Sequence, residues 1–176
     1  MKIGLISDTH DYLPNIRKAI QVFNRFNVDL VVHCGDFVSL FVINEFKNLN
    51  AKLYATYGNN DGEKTRLKEW LLDANPENKI EDSLSFDVEN LKFFVLHGQN
   101  ADILDSVIRS KNYDVVLHGH THEQKFEEVD GVLVINPGEA FGMLTGLASI
   151  GILNTTTKEY TEVDLNNVDI IENEEN

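Results

Sequence analysis

Asp8-Thr9-His10, Gly35-Asp36, Gly58-Asn59-Asn60, His97-Gly98 and Gly119-His120-Thr121-His122 concentrate carboxylates, carboxamides and imidazoles in short segments of a 176-residue chain. Side chains of these types can hold a divalent cation through nitrogen and oxygen, or they can move protons. Asp8 and His10 are separated by two positions, so on an extended chain they point to the same side and can chelate one ion; equally, Asp8 can cap the helix that Pro14 opens. Taken one at a time, Asp36 reads as a helix cap, Asn59 as a turn residue and His97 as a satisfied polar group at a strand end. The Gly-His-Thr-His segment points more directly to a metal, because the glycine permits close backbone approach and both imidazoles can reach one cluster.

These groups need a frame that delivers them to one place. Residues 1–7 form an apolar strand, and "PNIRKAIQVFNRFN" sets Ile16, Ala19, Ile20 and Phe23 on one helical stripe. The pattern recurs in "VDLVVHC" followed by "VSLFVINEFKNLN", and in "AKLYATY" followed by "EKTRLKEWLLD", which predicts a parallel sheet with right-handed crossovers. The second half changes character. "SLSFDVEN" and "LKFFVLHG" read as a hairpin, and "NADILDSVIRSKN" as a helix leading to the strand "YDVVLHG". "KFEEVDGVLVIN", "LASIGILN" and "KEYTEVDL" follow as strands joined by Asp-Gly and Asn-Thr turns, mostly antiparallel. The fold class is therefore α/β, with two facing mixed β-sheets and helices packed outside. Each reactive segment then lies at the carboxyl end of a strand, where ligands bind in open α/β sheets.

Composition narrows the chemistry. The length suits one domain, read as residues 1–165, with an acidic tail from 166 to 176 expected to fray. A net charge of −14 repels a phosphate backbone, and no basic stripe with interleaved aromatics offsets it, so a long nucleic acid is not the expected partner. A small phosphorylated substrate remains compatible. The single cysteine, Cys34, suits a reducing compartment; with no leader pattern and no membrane-length apolar run, the location expected is cytoplasmic and no membrane partner is expected.

The five reactive segments, in this order and each after a strand, resemble the signature blocks of the calcineurin-like metallophosphoesterases, and most of all the small single-domain phosphodiesterase branch that also includes the retromer scaffold subunit. The resemblance spans nearly the whole domain and implies an αββα sandwich holding two divalent transition metal ions. It assigns Asp8, His10 and His122 to one ion, Asn59, His97 and His120 to the other, and Asp36 to a bridge between them. It implies hydrolysis of a small phosphodiester by a hydroxide bridging the two ions, with Asp36, Asn59, Asn60 and His97 as the catalytic set. Nitrogen and oxygen donors suit manganese, iron, nickel, cobalt or zinc. The alternative is a non-catalytic scaffold of the same fold, which would have no need of a complete donor set.

One position departs from the commoner family pattern: Asn60 stands where a histidine thought to protonate the leaving oxygen is usual. A carboxamide donates a hydrogen bond but no proton near neutral pH, so diesters with good leaving groups are expected to react better than alkyl monoesters. Asp61 reads either as a support for Asn60 or as a turn residue. His33 reads as a satisfied strand residue and His118 as a pocket wall; both stay outside the ligand set. Cys34 reads as a small packed hydrophobe. In "NPGEAFG", residues 136–142, either Asn136 or the backbone amides touch substrate, or the stretch is a plain turn. Phe37, Phe41, Phe141 and Met143 read mainly as core, with a partner patch or a homo-oligomer face as the alternative.

Overall fold

The computed structural model describes residues 1–169. The first half alternates β1 (Lys2–Ile6), α1 (Leu13–Phe26), β2 (Leu30–His33), α2 (Ile43–Phe46), β3 (Lys52–Thr56), α3 (Lys64–Ala74) and the short β4 (Lys79–Glu81). Then come β5 (Ser83–Val88), β6 (Leu91–Leu96), α4 (Ala101–Ser110), β7 (Val115–Leu117), β8 (Gln124–Val129), β9 (Val132–Pro137), β10 (Ser149–Asn154) and β11 (Tyr160–Asp164). One sheet has the order β11-β10-β1-β2-β3-β4, the other β5-β6-β7-β9-β8. In the first, β1 to β4 run parallel and β10 and β11 are antiparallel additions. In the second, β6, β7 and β9 are parallel and the two edge strands antiparallel. Both sheets are mixed, and the second half of the chain carries more parallel pairing than its turn chemistry suggests.

Strand alternation builds three apolar layers. Ile3, Leu5, Leu30 and Val32 meet Phe93, Val95, Val115, Leu117 and Ile135 between the sheets. The opposite faces of β1, β2 and β3 send Ile6, Val31, Leu53 and Ala55 against α1 residues Ile16, Ala19, Ile20 and Phe23. Behind the second sheet, Leu96, Val116 and Val134 lie under Leu104, Val107 and Ile108 of α4. Side chains pointing to opposite faces at period two produce this division directly. Pro14 opens α1 in its first turn, and Asn27 closes it in the left-handed conformation.

Three elements differ from expectation. The helix expected over residues 38–50 shrinks to a 3-10 turn, Leu40–Val42, and the four-residue α2. Val38 has φ 82°, a left-handed value that no helix can include, and its amide is held by Asp61 Oδ1 at 2.7 Å. β4 was not foreseen: it has three residues with Ile80 alone buried, too short for a period to register. The boundary placed at 165 falls inside a second 3-10 turn, Leu165–Asn167. Leu165 is buried and donates its amide to Ala148, and Val168 packs on the core. Residues 170–176 of the expected frayed tail lie outside the described residues. Of the four apolar residues weighed as core or patch, Phe37 is buried, Phe41 and Met143 are exposed, and Phe141 is half-buried against His10 and Tyr12.

Candidate metal centre

The loops after β1, β2, β3, β6 and β7 meet at one edge of the sandwich. Backbone bonds tie the first two together: Asp8 N–H donates to the Gly35 carbonyl, and the Thr9 and His10 amides both donate to the Asp36 carbonyl. The same-side alternation expected for Asp8 and His10 on an extended chain is not what brings them together. Asp8, His10, Asp36, His120 and His122 all have φ between 41° and 69°, so the loops curl through the left-handed region. Such conformations cost about 1–3 kcal/mol each for residues with a Cβ and persist where the surroundings over-determine them. Tight approach forces glycine beside them: a Cβ on Gly58 would overlap the Asp36 carboxylate, and one on Gly119 would overlap the Ser7 hydroxyl and crowd Asp8.

Asp8 and Asp36 are both buried and are held differently. Asp8 Oδ2 accepts from the Ser7 hydroxyl and from His120 N–H, while its Oδ1 is buried without a hydrogen-bond partner. Burial raises the Asp8 pKa against the opposing pull of Ser7, His97 and His122. Asp36 Oδ1 accepts the Asn60 amide at 2.9 Å and Oδ2 accepts the Asn60 side chain at 2.8 Å. Burial opposes ionisation there too, but His97 and Asn60 outweigh it and hold the Asp36 carboxyl far below the usual carboxylate range.

The histidine tautomers follow from their fixed partners. His122 Nδ1 lies 2.8 Å from Glu139 Oε2, so Nδ1–H donates to the carboxylate and the Nε2 lone pair faces Asp8 Oδ1 at 3.4 Å. His10 Nε2, buried and unpartnered, stands 4.0 Å from Asp8 Oδ1 and 3.7 Å from Asp36 Oδ2. His97 Nδ1 is 2.8 Å from the Cys34 carbonyl, which can only accept, so Nε2 of the neutral ring presents a lone pair to Asn59 Oδ1 at 3.1 Å and Asp36 Oδ2 at 3.4 Å. The His97 pKa is raised: desolvation pulls it down, and the neighbouring carboxylates Asp36 and Asp8 pull harder the other way. Both clusters of lone pairs therefore demand positive charge. Among the described residues, Asp8-His10-His122 and Asp8-Asp36-His97 each bring ligand atoms within 4.8 Å of one another. His120 stands in neither triad; its ring is edge-on to His97 at 5.1 Å. This donor set, with two orphaned buried atoms, fits divalent cations.

Sequence reasoning did not single out Glu139 or Ser7. Glu139 is buried, and besides His122 it accepts from the Leu144 and Thr145 amides and the Thr145 hydroxyl, which hold its pKa below the usual value despite desolvation. Its signal was a carboxylate inside an otherwise small and apolar turn sequence. Asp61 resolves toward support, but of backbone: it accepts from the Asp36, Gly58 and Val38 amides. Asn136, weighed as a substrate contact, is buried and braces the Gly119–Thr121 loop through Gly119 O and Thr121 Oγ1. His33 Nδ1 accepts from Gly35 N–H, so Nε2–H donates to the Thr9 hydroxyl. His118 is buried beside Gly119. Cys34 is buried in the layer between the sheets, and desolvation pushes its thiol pKa far up, so it packs as a hydrophobe.

An edge of converging strand ends with two carboxylates, four imidazoles and carboxamides on an αββα sandwich defines a class, and the whole-chain comparison agrees. Residues 1–158 match the calcineurin-like phosphoesterase superfamily domain, and the chain belongs to that family. It is 64% identical over 165 residues to phosphodiesterase MJ0936 of Methanocaldococcus jannaschii, covering 94% of this chain and 99% of that protein. A probable metallophosphoesterase of the same organism, MJ0623, is 33% identical and aligns over 78% of this chain and 67% of its own length. A solved structure of a novel archaeal phosphodiesterase superposes with a TM-score of 0.91 at 63% identity, covering 93% of this chain and 99% of that one. Zinc-complexed Vps29 of Entamoeba histolytica, at 17% identity and a TM-score of 0.68 over 94% of this chain and 99% of that one, shares the fold. No helix among the described residues is long and apolar enough to cross a membrane.

Proposed function

We propose that this protein is a metal-dependent phosphodiesterase acting on a small phosphodiester. One observation carries the reading: Asp8 Oδ1 and His10 Nε2 are buried without a hydrogen-bond partner, and the ligand atoms of His122, Asp36 and His97 converge on them. The 64% identity to a protein named a phosphodiesterase supports the diester. In this reading Asp8, His10 and His122 hold one divalent transition ion, Asn59, His97 and His120 hold a second, and Asp36 serves both. When bound, such ions supply Lewis acidity toward the phosphoryl oxygens and a water acidic enough to attack near neutral pH. The donors suit manganese, iron, nickel, cobalt or zinc.

The chain's own residues prepare that chemistry. Glu139 fixes the His122 tautomer and raises its basicity as a ligand, and the Cys34 carbonyl does the same for His97. Asn60 clasps the Asp36 carboxylate with both of its amide groups and has no proton to give a leaving oxygen, so a diester that departs as a stable anion is the better substrate. The test is hydrolysis of an aryl phosphodiester and its monoester by metal-stripped protein, with manganese, nickel, cobalt, zinc and magnesium returned singly, beside Asp36→Ala and His120→Ala. Diester turnover that returns with a transition metal and is lost in both variants is the expected result. No turnover with any metal, in folded protein, overturns it in favour of a scaffold.

A further inference from the structure

A small cleft opens on the α4 side of His97. It holds about 190 Å³ and is lined by the apolar Phe94, Leu96 and Ile103 together with the polar Asp82, Ser83, His97, Gln99 and Asn100. Phe94, Asn100 and Ile103 also line a larger open groove of about 510 Å³ that continues along α4. The strand β6 explains the composition: Phe93 and Val95 enter the layer between the sheets, so Phe94 and Leu96 must face α4. Ile103 is 54% exposed although it sits at the head of a helix beside a reactive edge. The Asn100 side chain caps α4 by accepting from the Asp102 and Ile103 amides through Oδ1, which leaves its carboxamide NH₂ as a donor.

Resting on the phosphodiesterase reading, we propose that this cleft receives one ester substituent of the diester, an uncharged planar ring of the aryl or nucleobase type. Volume favours a single ring system, since a site for a whole drug-sized ligand occupies about 300–1,000 Å³. Charge favours a neutral group: neither cavity is lined by lysine or arginine, Asp82 and Asp102 stand at their margins, and Asp102 with the Asn100 cap already satisfies the positive end of α4. A second phosphate would meet two carboxylates and no lysine or arginine in these linings. Apolar faces with carboxamides at the edge match a ring that buries its faces and hydrogen-bonds at its rim. Because His97 borders the cleft and also points its Nε2 at Asp36, a ring seated there brings the attached phosphate to the donor cluster.

The experiment titrates the ¹⁵N-labelled full chain with adenosine, phenol and ribose. The amides of Phe94, Gln99, Asn100 and Ile103 are expected to shift with a ring compound and stay still with ribose; the ring that shifts them at lower concentration identifies nucleobase or aryl. Ile103→Asp, at an exposed position that leaves the fold intact, is expected to weaken that binding and to raise KM for an aryl diester by about tenfold. Silence with both rings, or an unchanged affinity in Ile103→Asp, overturns the subsite. Repeating the titration in Asp36→Ala separates the two readings. Shifts there, in a protein whose wild type turns over no diester with any metal, retain the ring site and remove the phosphodiesterase; metal-dependent turnover with silent titrations removes the subsite alone.

Discussion

The two halves of the donor cluster are built from similar ligand atoms but anchored in different ways. On one side His122 is fixed by the buried carboxylate of Glu139, and Asp8 keeps one oxygen unpartnered. On the other, His97 is fixed by the neutral carbonyl of Cys34, and Asp36 is clasped through both oxygens by Asn60. A carboxylate partner makes an imidazole a stronger donor than a carbonyl partner does. The Asp8 side should therefore hold its cation more tightly, while the Asp36 side keeps a firmly ionised carboxylate whose position is set by amides. One half is tuned for affinity and the other for geometry.

The harshest way to break this division is to remove the carboxylate that stands between His10 of one half and His97 of the other. Asp36 Oδ2 lies within 4 Å of His10 and His97, so Asp36→Ala should lower diester turnover by roughly 10³-fold or more, with circular dichroism showing a retained fold. A gentler change targets the affinity side alone. Glu139→Gln keeps the shape and loses the charge, and should weaken the tighter of two manganese-binding events by about 10–100-fold in calorimetry while the weaker one is unmoved. Equal weakening of both events, or of neither, would contradict the asymmetry. On the geometry side, Asn60→His introduces a group able to give a proton, and monoester turnover should rise about tenfold against the diester rate. If the monoester rate on poor leaving groups is unchanged, the role assigned to Asn60 is wrong.

The reactive residues were legible in the sequence because each sits immediately after an apolar strand, and strand ends of an α/β sheet converge on one edge. The two sheets were legible for the same reason: a period of two and a period of 3.6 are short-range signals. Glu139 was not, because its importance depends on a contact with His122 across 17 residues, and nothing local distinguishes it from a turn acid. The truncated α2 was missed because the left-handed Val38 is imposed by Asp61, 23 residues away, against the local helical pattern. Asp8 and His10 lie near each other by a geometry that their spacing did not indicate, since alternation on an extended chain cannot anticipate a loop that curls through positive φ.

His33 joins the two halves, and its titration offers the smallest and most specific test. Its Nε2–H donates to the Thr9 hydroxyl in the Asp8–His10 loop, and its Nδ1 accepts from the Gly35 amide in the loop that carries Asp36. A second proton on the ring would destroy the Gly35 bond, and the ring is buried against Phe37 at a centroid distance of 3.6 Å. Desolvation accordingly holds its pKa well below the ordinary 6.5. The unfolded chain takes up a proton below about pH 6.5 that the folded chain refuses, so stability from this group is fully present above that pH and is lost as pH falls. The loss should approach about 1.4 kcal/mol per pH unit once the unfolded histidine is fully protonated. His118, also depressed by burial, acts with the same sign, and His97, raised beside Asp36 and Asp8, acts with the opposite one, so removing His33 should lessen the fall in stability toward acid by its own share. Urea unfolding in chelator between pH 7.5 and 5.5, above the ordinary carboxylate range, should show a shallower pH dependence in His33→Gln than in the wild type, with the raised Asp8 and Asp61 common to both proteins. Equal slopes would mean that the loops of the two halves are not held together through a neutral His33.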